Sequence, residues 1–139
     1  MDQHLILWPL LAQILLTLLM YLKLAIVKKR EFDAGNVDLK RTALDQSAWP
    51  ESVIKINNNL RNQFETPILF YILCMLLWAL GGVSVATLIV AALYVVARYA
   101  HAFIHTSSNI VPYRFLMFMV SMVMLFGLFG ISVRAVASL

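Results

Sequence analysis

The sequence predicts an all-α integral membrane protein, a bundle of four transmembrane helices in a single domain over residues 1–139. Three observations predict it. Of the 139 residues, 62% are hydrophobic and only 13% charged, whereas a soluble domain is nearer half apolar and about a quarter charged. A chain this short cannot hide so much apolar surface in a water-facing globule, and disorder would need the opposite balance. The apolar residues also fall into four runs, and the charges gather at the ends of those runs rather than along one basic stripe. This is the pattern of membrane topology, not of nucleic-acid binding.

The first span is expected over about 5–27. Its apolar run, Leu5 to Val27, is interrupted by Gln13 and Lys23 and is about 35 Å long at 1.5 Å per residue, enough to cross a bilayer. Lys23 lies near its end, where it can snorkel to the interface. The run is not a cleavable signal: its n-region, Met1-Asp2-Gln3-His4, carries no Lys or Arg, and it ends in Lys28-Lys29-Arg30 with no small-residue cleavage site. A polar loop over about 28–50 follows, with acids (Glu31, Asp33, Asp38, Asp45) and bases (Lys40, Arg41) mixed around a Gly35-Asn36 turn signal.

The second helix is expected over about 52–80. Pro50 and Glu51 are start signals, and Gly81-Gly82 ends it. Its first half is polar and its second half, from Pro67, is apolar, so it projects beyond the bilayer with a kink at Pro67. The third span is expected over about 83–104, and His105-Thr106-Ser107-Ser108-Asn109 connects it to the fourth, over about 112–136. Gly127 and Gly130 there permit a close helix contact. The first loop is rich in Lys and Arg, the second has no charge, and the third is flanked by Arg98 and Arg114. The positive-inside rule then puts the first and third connections in the cytoplasm and both termini outside. Cys74 stands alone in an apolar run and reads as a small buried hydrophobe, and no spacing of Cys and His suggests a metal site.

Ionisable groups at membrane depth signal function, and here they cluster at one end. Asn58, Arg61, Asn62 and Glu65 share a helical face by their i, i+3, i+4, i+7 spacing. Arg98, His101 and His105 form a second stripe, and Arg114 opens the last helix. Together they suggest a pocket rich in Arg with one carboxylate. Arg forks bind carboxylates and Glu65 suits an ammonium group, so a small ligand with two carboxylates and one amine matches. The bland alternative is that these residues pair with one another and with lipid head groups.

The run Asn59-Leu60-Arg61-Asn62-Gln63-Phe64-Glu65-Thr66-Pro67 resembles the signature of the MAPEG family (membrane-associated proteins in eicosanoid and glutathione metabolism), in which an Asn-x-x-Glu pair ends the polar part of the second helix just before a Pro. Arg98, His101 and His105, followed by Pro112 and Arg114, resemble the microsomal prostaglandin E synthase branch. The resemblance covers nearly the whole chain. It implies a homotrimer of four-helix protomers with glutathione bound between subunits near the cytoplasmic side. Asn62 and Glu65 would hold the peptide backbone, with Glu65 on its amino group. Arg61 and Arg98 would meet its carboxylates or neighbouring groups, and Arg30 would also reach the peptide. His101 and His105 would line the same site, and Arg114 would stabilise the thiolate.

These implications favour a membrane-bound glutathione-dependent transferase or peroxidase acting on lipophilic electrophiles or hydroperoxides. Three positions depart from the pattern: Asn58 stands where catalytic members often carry Arg, and Phe118 where the prostaglandin synthase branch has Tyr. His105 likewise replaces a Tyr of that branch. The departures support a second reading, a non-catalytic protein of the same fold that binds or presents a lipid. A small four-span multidrug exporter is a poor match, because its carboxylate would sit deep in the first span, where this chain has no acid after Asp2. Expected partners are further copies of the chain, membrane lipids and a lipophilic small molecule. A bare chain of this kind suits a bacterial inner membrane.

Overall fold

The computed structural model describes residues 1–139 and is helical throughout, with no strand. A 3-10 turn, Gln3–Ile6, leads into α1 (Leu7–Asp33). The loop that follows holds the one-turn helix α2 (Leu39–Thr42) and a second 3-10 turn, Gln46–Ala48. Then come α3 (Glu51–Gln63), α4 (Thr66–Ala79), α5 (Val85–Thr106) and α6 (Val111–Ala137). Three stretches, Gln3–Asp33, Val85–Thr106 and Val111–Ala137, are long and apolar enough to cross a membrane.

The first helix outlasts its apolar run. The sequence places the start of the loop at Lys28, but α1 continues through Lys28-Lys29-Arg30 to Asp33. Lys, Arg and Glu are good helix formers, and an i,i+4 pair between Lys29 Nζ and Asp33 Oδ2 at 2.6 Å supports the last turn. The helix stops where the backbone reverses. Gly35 takes φ +77°, a conformation that costs a glycine little. Gly35 N–H then donates to Phe32 O and Asn36 N–H to Glu31 O, each at 3.0 Å, the paired bonds of a Schellman cap. The same cap closes α4 at Gly81 (φ +66°), with Gly82 N–H donating to Leu77 O at 2.8 Å and Gly81 N–H to Trp78 O at 3.2 Å.

The second helical region is two helices rather than one kinked helix. The chain breaks at Phe64-Glu65, and Glu65 (φ −98°, ψ −106°) precedes the first turn of α4. Pro67 explains the break: its nitrogen has no proton for the carbonyl of Gln63, and its ring would collide with that carbonyl. Pro67 instead occupies the first turn of a new helix, where its missing donor is harmless. The consequence is that Glu65 is a corner residue and not a member of a continuous stripe.

The core lies between α1, α4, α5 and α6. It is built from Ile6, Leu10, Phe70, Cys74, Leu77, Ala91, Tyr94, Leu125 and Leu128. Tyr94 is fully buried and stacks on Phe70 with ring centroids 4.3 Å apart. Tyr99 donates its hydroxyl proton to the Ala12 carbonyl at 2.7 Å, so it ties α5 to α1. A smaller cluster of Val27, Val53, Ile56 and Leu60 joins α1 to α3. The closest helix-end approach is at Gly82, where a Cβ would meet Ala135 Cβ at 3.1 Å and Leu77 Cδ2 at 3.2 Å; at Gly127 the nearest atom would be Val90 Cγ1 at 3.4 Å, and Gly130 faces open space.

Candidate functional site

The end of the bundle that carries the α5–α6 connector is drawn together by side chains from α1 and α3. Lys23 Nζ donates to Thr106 Oγ1 at 2.8 Å, so this lysine reaches α5 instead of snorkelling away. Lys55 Nζ donates to the Ser107 carbonyl at 2.9 Å. Asn109 takes a left-handed backbone (φ +53°), which Asn tolerates better than most residues. From there its Oδ1 accepts a proton from Arg114 Nη1 at 2.7 Å. The connector therefore sets the position of the Arg114 guanidinium.

Between α3, the Glu65 corner, α5 and α6 lies a pocket of about 390 Å³. Asn58, Asn62, Glu65, His101, His105, Val111, Arg114, Phe115 and Phe118 line it. The structure thus brings together six polar residues singled out in the sequence: Asn58, Asn62, Glu65, His101, His105 and Arg114. Asn62 Nδ2 donates to Glu65 Oε2 at 3.4 Å. Behind Asn62 is Arg98, with no exposed surface. One of its Nη2 protons goes to Asn62 Oδ1, while Nε and Nη1 have no partner. A buried guanidinium with two unpaired nitrogens carries a desolvation penalty of several kcal/mol in general, and Arg98 acts on the pocket through Asn62, which lines it.

The two histidines are held differently. His101 Nδ1 lies 2.9 Å from the Arg114 carbonyl. A carbonyl only accepts, so Nδ1 carries the proton, and His101 Nε2 is left buried without a partner. His105 Nδ1 faces the Asn59 side-chain nitrogen at 3.3 Å. The two rings meet edge to face, 5.5 Å between centroids.

Two of the expected residues stand apart. Arg61 is exposed and lines a neighbouring groove with Gln46, Ser47, Ile54, Asn57 and Asn58. Asn58 borders both this groove and the pocket, with Asn62 on the pocket side and Arg61 on the groove side. Arg30 is also exposed, with Nη2 3.7 Å from Glu31 Oε1, and is not part of the pocket wall. Three residues belong to the site's surroundings that spacing did not bring out: Gln13, Asn59 and Gln63, all buried. The only hint was Gln13, a polar residue within an apolar span.

The MAPEG family profile matches residues 5–134. The chain belongs to the MAPEG family. That membership, together with the three long apolar helices, marks it as a membrane protein. Among the curated proteins and the solved structures, nothing matches it. Membership in the MAPEG family is compatible with a glutathione-related transferase or peroxidase and with other roles, so the choice among them falls to the pocket.

Proposed function

We propose that the pocket binds glutathione and that this MAPEG-family chain is a membrane-bound glutathione-dependent transferase or peroxidase acting on lipophilic electrophiles or hydroperoxides. The observation that carries this reading is the convergence of Asn62, Glu65 and Arg114 on one pocket, with Arg98 buried behind it. The donor set fits the peptide. Glu65 accepts from an ammonium group, the unpaired Arg98 and His101 nitrogens need polar partners, and about 390 Å³ lies in the range of small-molecule sites. Arg114 supplies the chemistry. A thiol is mostly protonated at neutral pH, and a nearby guanidinium favours the thiolate.

We infer further that α3 and α4 together form a fourth crossing, that three protomers associate, and that Arg30 and Arg61 serve the ligand from the protomer edge. Both residues are exposed in the single chain, as groups that meet a ligand between subunits would be. The basic end, with Lys28, Lys29, Arg30, Lys40 and Arg41, faces the cytoplasm, both termini lie outside, and the membrane is a bacterial inner membrane. The long apolar faces of α1 and α6, including Trp8, Leu18, Phe126 and Phe129, are available to lipid and to neighbouring protomers.

A second reading, a non-catalytic lipid-binding protein, draws on a different feature. A groove of about 400 Å³ between α4 and α6 is lined only by Leu69, Ile72, Leu73, Met122, Leu125, Phe126 and Phe129, surface suited to an acyl chain. The two readings separate in one assay. Purified protein with glutathione and chlorodinitrobenzene is expected to form the conjugate, with native mass measurement giving three copies. Lipid retained through purification, with no glutathione consumed, would favour the second reading instead.

A further inference from the structure

A line of buried amides crosses the bundle from α1 to α5. Gln13 Nε2 donates to Gln63 Oε1 at 3.0 Å. Gln63 Nε2 donates to Asn59 Oδ1 at 3.2 Å. Asn59 Nδ2 then faces His105 Nδ1 at 3.3 Å. Gln13, Gln63 and Asn59 are at most 1% exposed, and His105 is 7% exposed. Gln63 and Asn59 each use the oxygen toward one neighbour and the nitrogen toward the next, while Gln13 Oε1 at the head of the line has no partner, so turning either inner amide alone sets two donors or two acceptors against each other. In a low-dielectric interior that mismatch is expensive and successive bonds polarise one another.

The line ends on a ring with two states. An amide nitrogen only donates, so His105 Nδ1 must accept and the ring proton must sit on Nε2. Nε2 is the edge left for the pocket that His105 lines. His101, one turn away, has the reverse arrangement, because its Nδ1–H donates a hydrogen bond to the Arg114 carbonyl. We propose that Gln13, Gln63 and Asn59 are positioning residues that fix His105 as an Nε2–H donor, so that it presents a hydrogen bond to the ligand's sulfur beside Arg114. His105 keeps its proton throughout; it stabilises negative charge and transfers nothing. The role toward sulfur rests on the reading of the pocket as a glutathione site, whereas the tautomer does not.

The test is 15N NMR of histidine-labelled protein in lipid nanodiscs, with His105 assigned by the loss of its signals in His105→Gln. The expected wild-type spectrum shows a one-bond N–H coupling at His105 Nε2 and none at Nδ1. Gln63→Glu then reverses the line. Burial favours the neutral acid, so the spectrum is read at alkaline pH, where a carboxylate at this position accepts from both Gln13 and Asn59, Asn59 must turn its oxygen to the ring, and the coupling is expected to move to Nδ1. The same variant should lose about tenfold or more in kcat, as when a preorganised donor to developing charge is removed, with little change in the KM for glutathione. A wild-type His105 protonated on Nδ1, or a tautomer indifferent to Gln63→Glu, would overturn the proposal. The wild-type spectrum decides even where the variant does not fold. Absent glutathione turnover alongside the predicted tautomers would instead count against the functional reading and remove the role toward sulfur.

Discussion

Arg114→Ala is expected to lower kcat/KM for glutathione conjugation by about 10²–10³-fold, the loss typical of one preorganised group that meets developing charge. The magnitude follows from Coulomb's law. A guanidinium about 4 Å from a thiolate contributes at most ~4 kcal/mol at an effective dielectric of 20, equivalent to about three pKa units. That is enough to bring an ordinary thiol near or below neutrality. The pocket is open on one side, so part of this is screened, and the lower end of the range applies to small, water-soluble electrophiles. The fold should survive the change. The contact between α6 and His101 is made by the Arg114 backbone carbonyl, which alanine retains, and the side chain's one bond goes to Asn109 on the connector. Arg114→Lys keeps the charge but loses the planar fork, and its turnover should fall between the two. Steady-state kinetics with a thermal melt of each variant checks this. Equal turnover in Arg114→Ala and wild type would remove Arg114 from the chemistry.

A second large effect is expected at Arg98, and it has opposite signs for binding and for stability. The guanidinium is fully buried and makes one hydrogen bond, to Asn62. Replacing a buried ion by an apolar side chain of similar volume is often neutral or stabilising by 1–4 kcal/mol. Asn62 would lose its donor, at a cost of roughly 1–3 kcal/mol. The desolvation gain is the larger of the two, because two of the three guanidinium nitrogens are already unpaired. Arg98→Met is therefore expected to melt at or above the wild-type temperature while binding glutathione about 10–100-fold more weakly, since Asn62 is no longer held toward the ligand. Arg98→Ala adds a cavity and should destabilise by about 3–5 kcal/mol. Melting curves and equilibrium binding on the two variants separate the terms. An Arg98→Met protein as unstable as Arg98→Ala would show that the arginine is structural.

The pocket residues were legible because charge in an apolar chain is scarce. Glu65, Arg98 and Arg114 stand out against 62% hydrophobic residues, and the glycine stops and Pro67 mark where helices end. What stayed hidden depends on pairing across elements. Gln13 and Gln63 are fifty residues apart, and no spacing along one helix reveals that their amides meet. Asn59 and Gln63 sit four apart, yet they turn toward α1 and α5 while Asn58 and Asn62, one residue earlier on each turn, face the pocket. Arg61 lines the neighbouring groove that it shares with Asn58, whereas Glu65 turns to the pocket from beyond the end of α3 at Gln63, because a 3.6-residue period holds only while the helix continues. The length of α1 was hidden because hydropathy stops at Val27, whereas helix propensity and the Gly35 cap do not.

Thermal unfolding in the presence of glutathione shows whether this pocket takes the peptide. A ligand that binds only the folded state stabilises it by about 2.7 kcal/mol at 100 times its Kd. Wild-type protein in nanodiscs should melt at progressively higher temperature as glutathione rises into the millimolar range. In the Glu65→Gln variant, which loses the charge that faces the amino group, the curve should shift to higher glutathione. A melting temperature that does not move at millimolar glutathione, in protein that is folded and associated, would contradict the account.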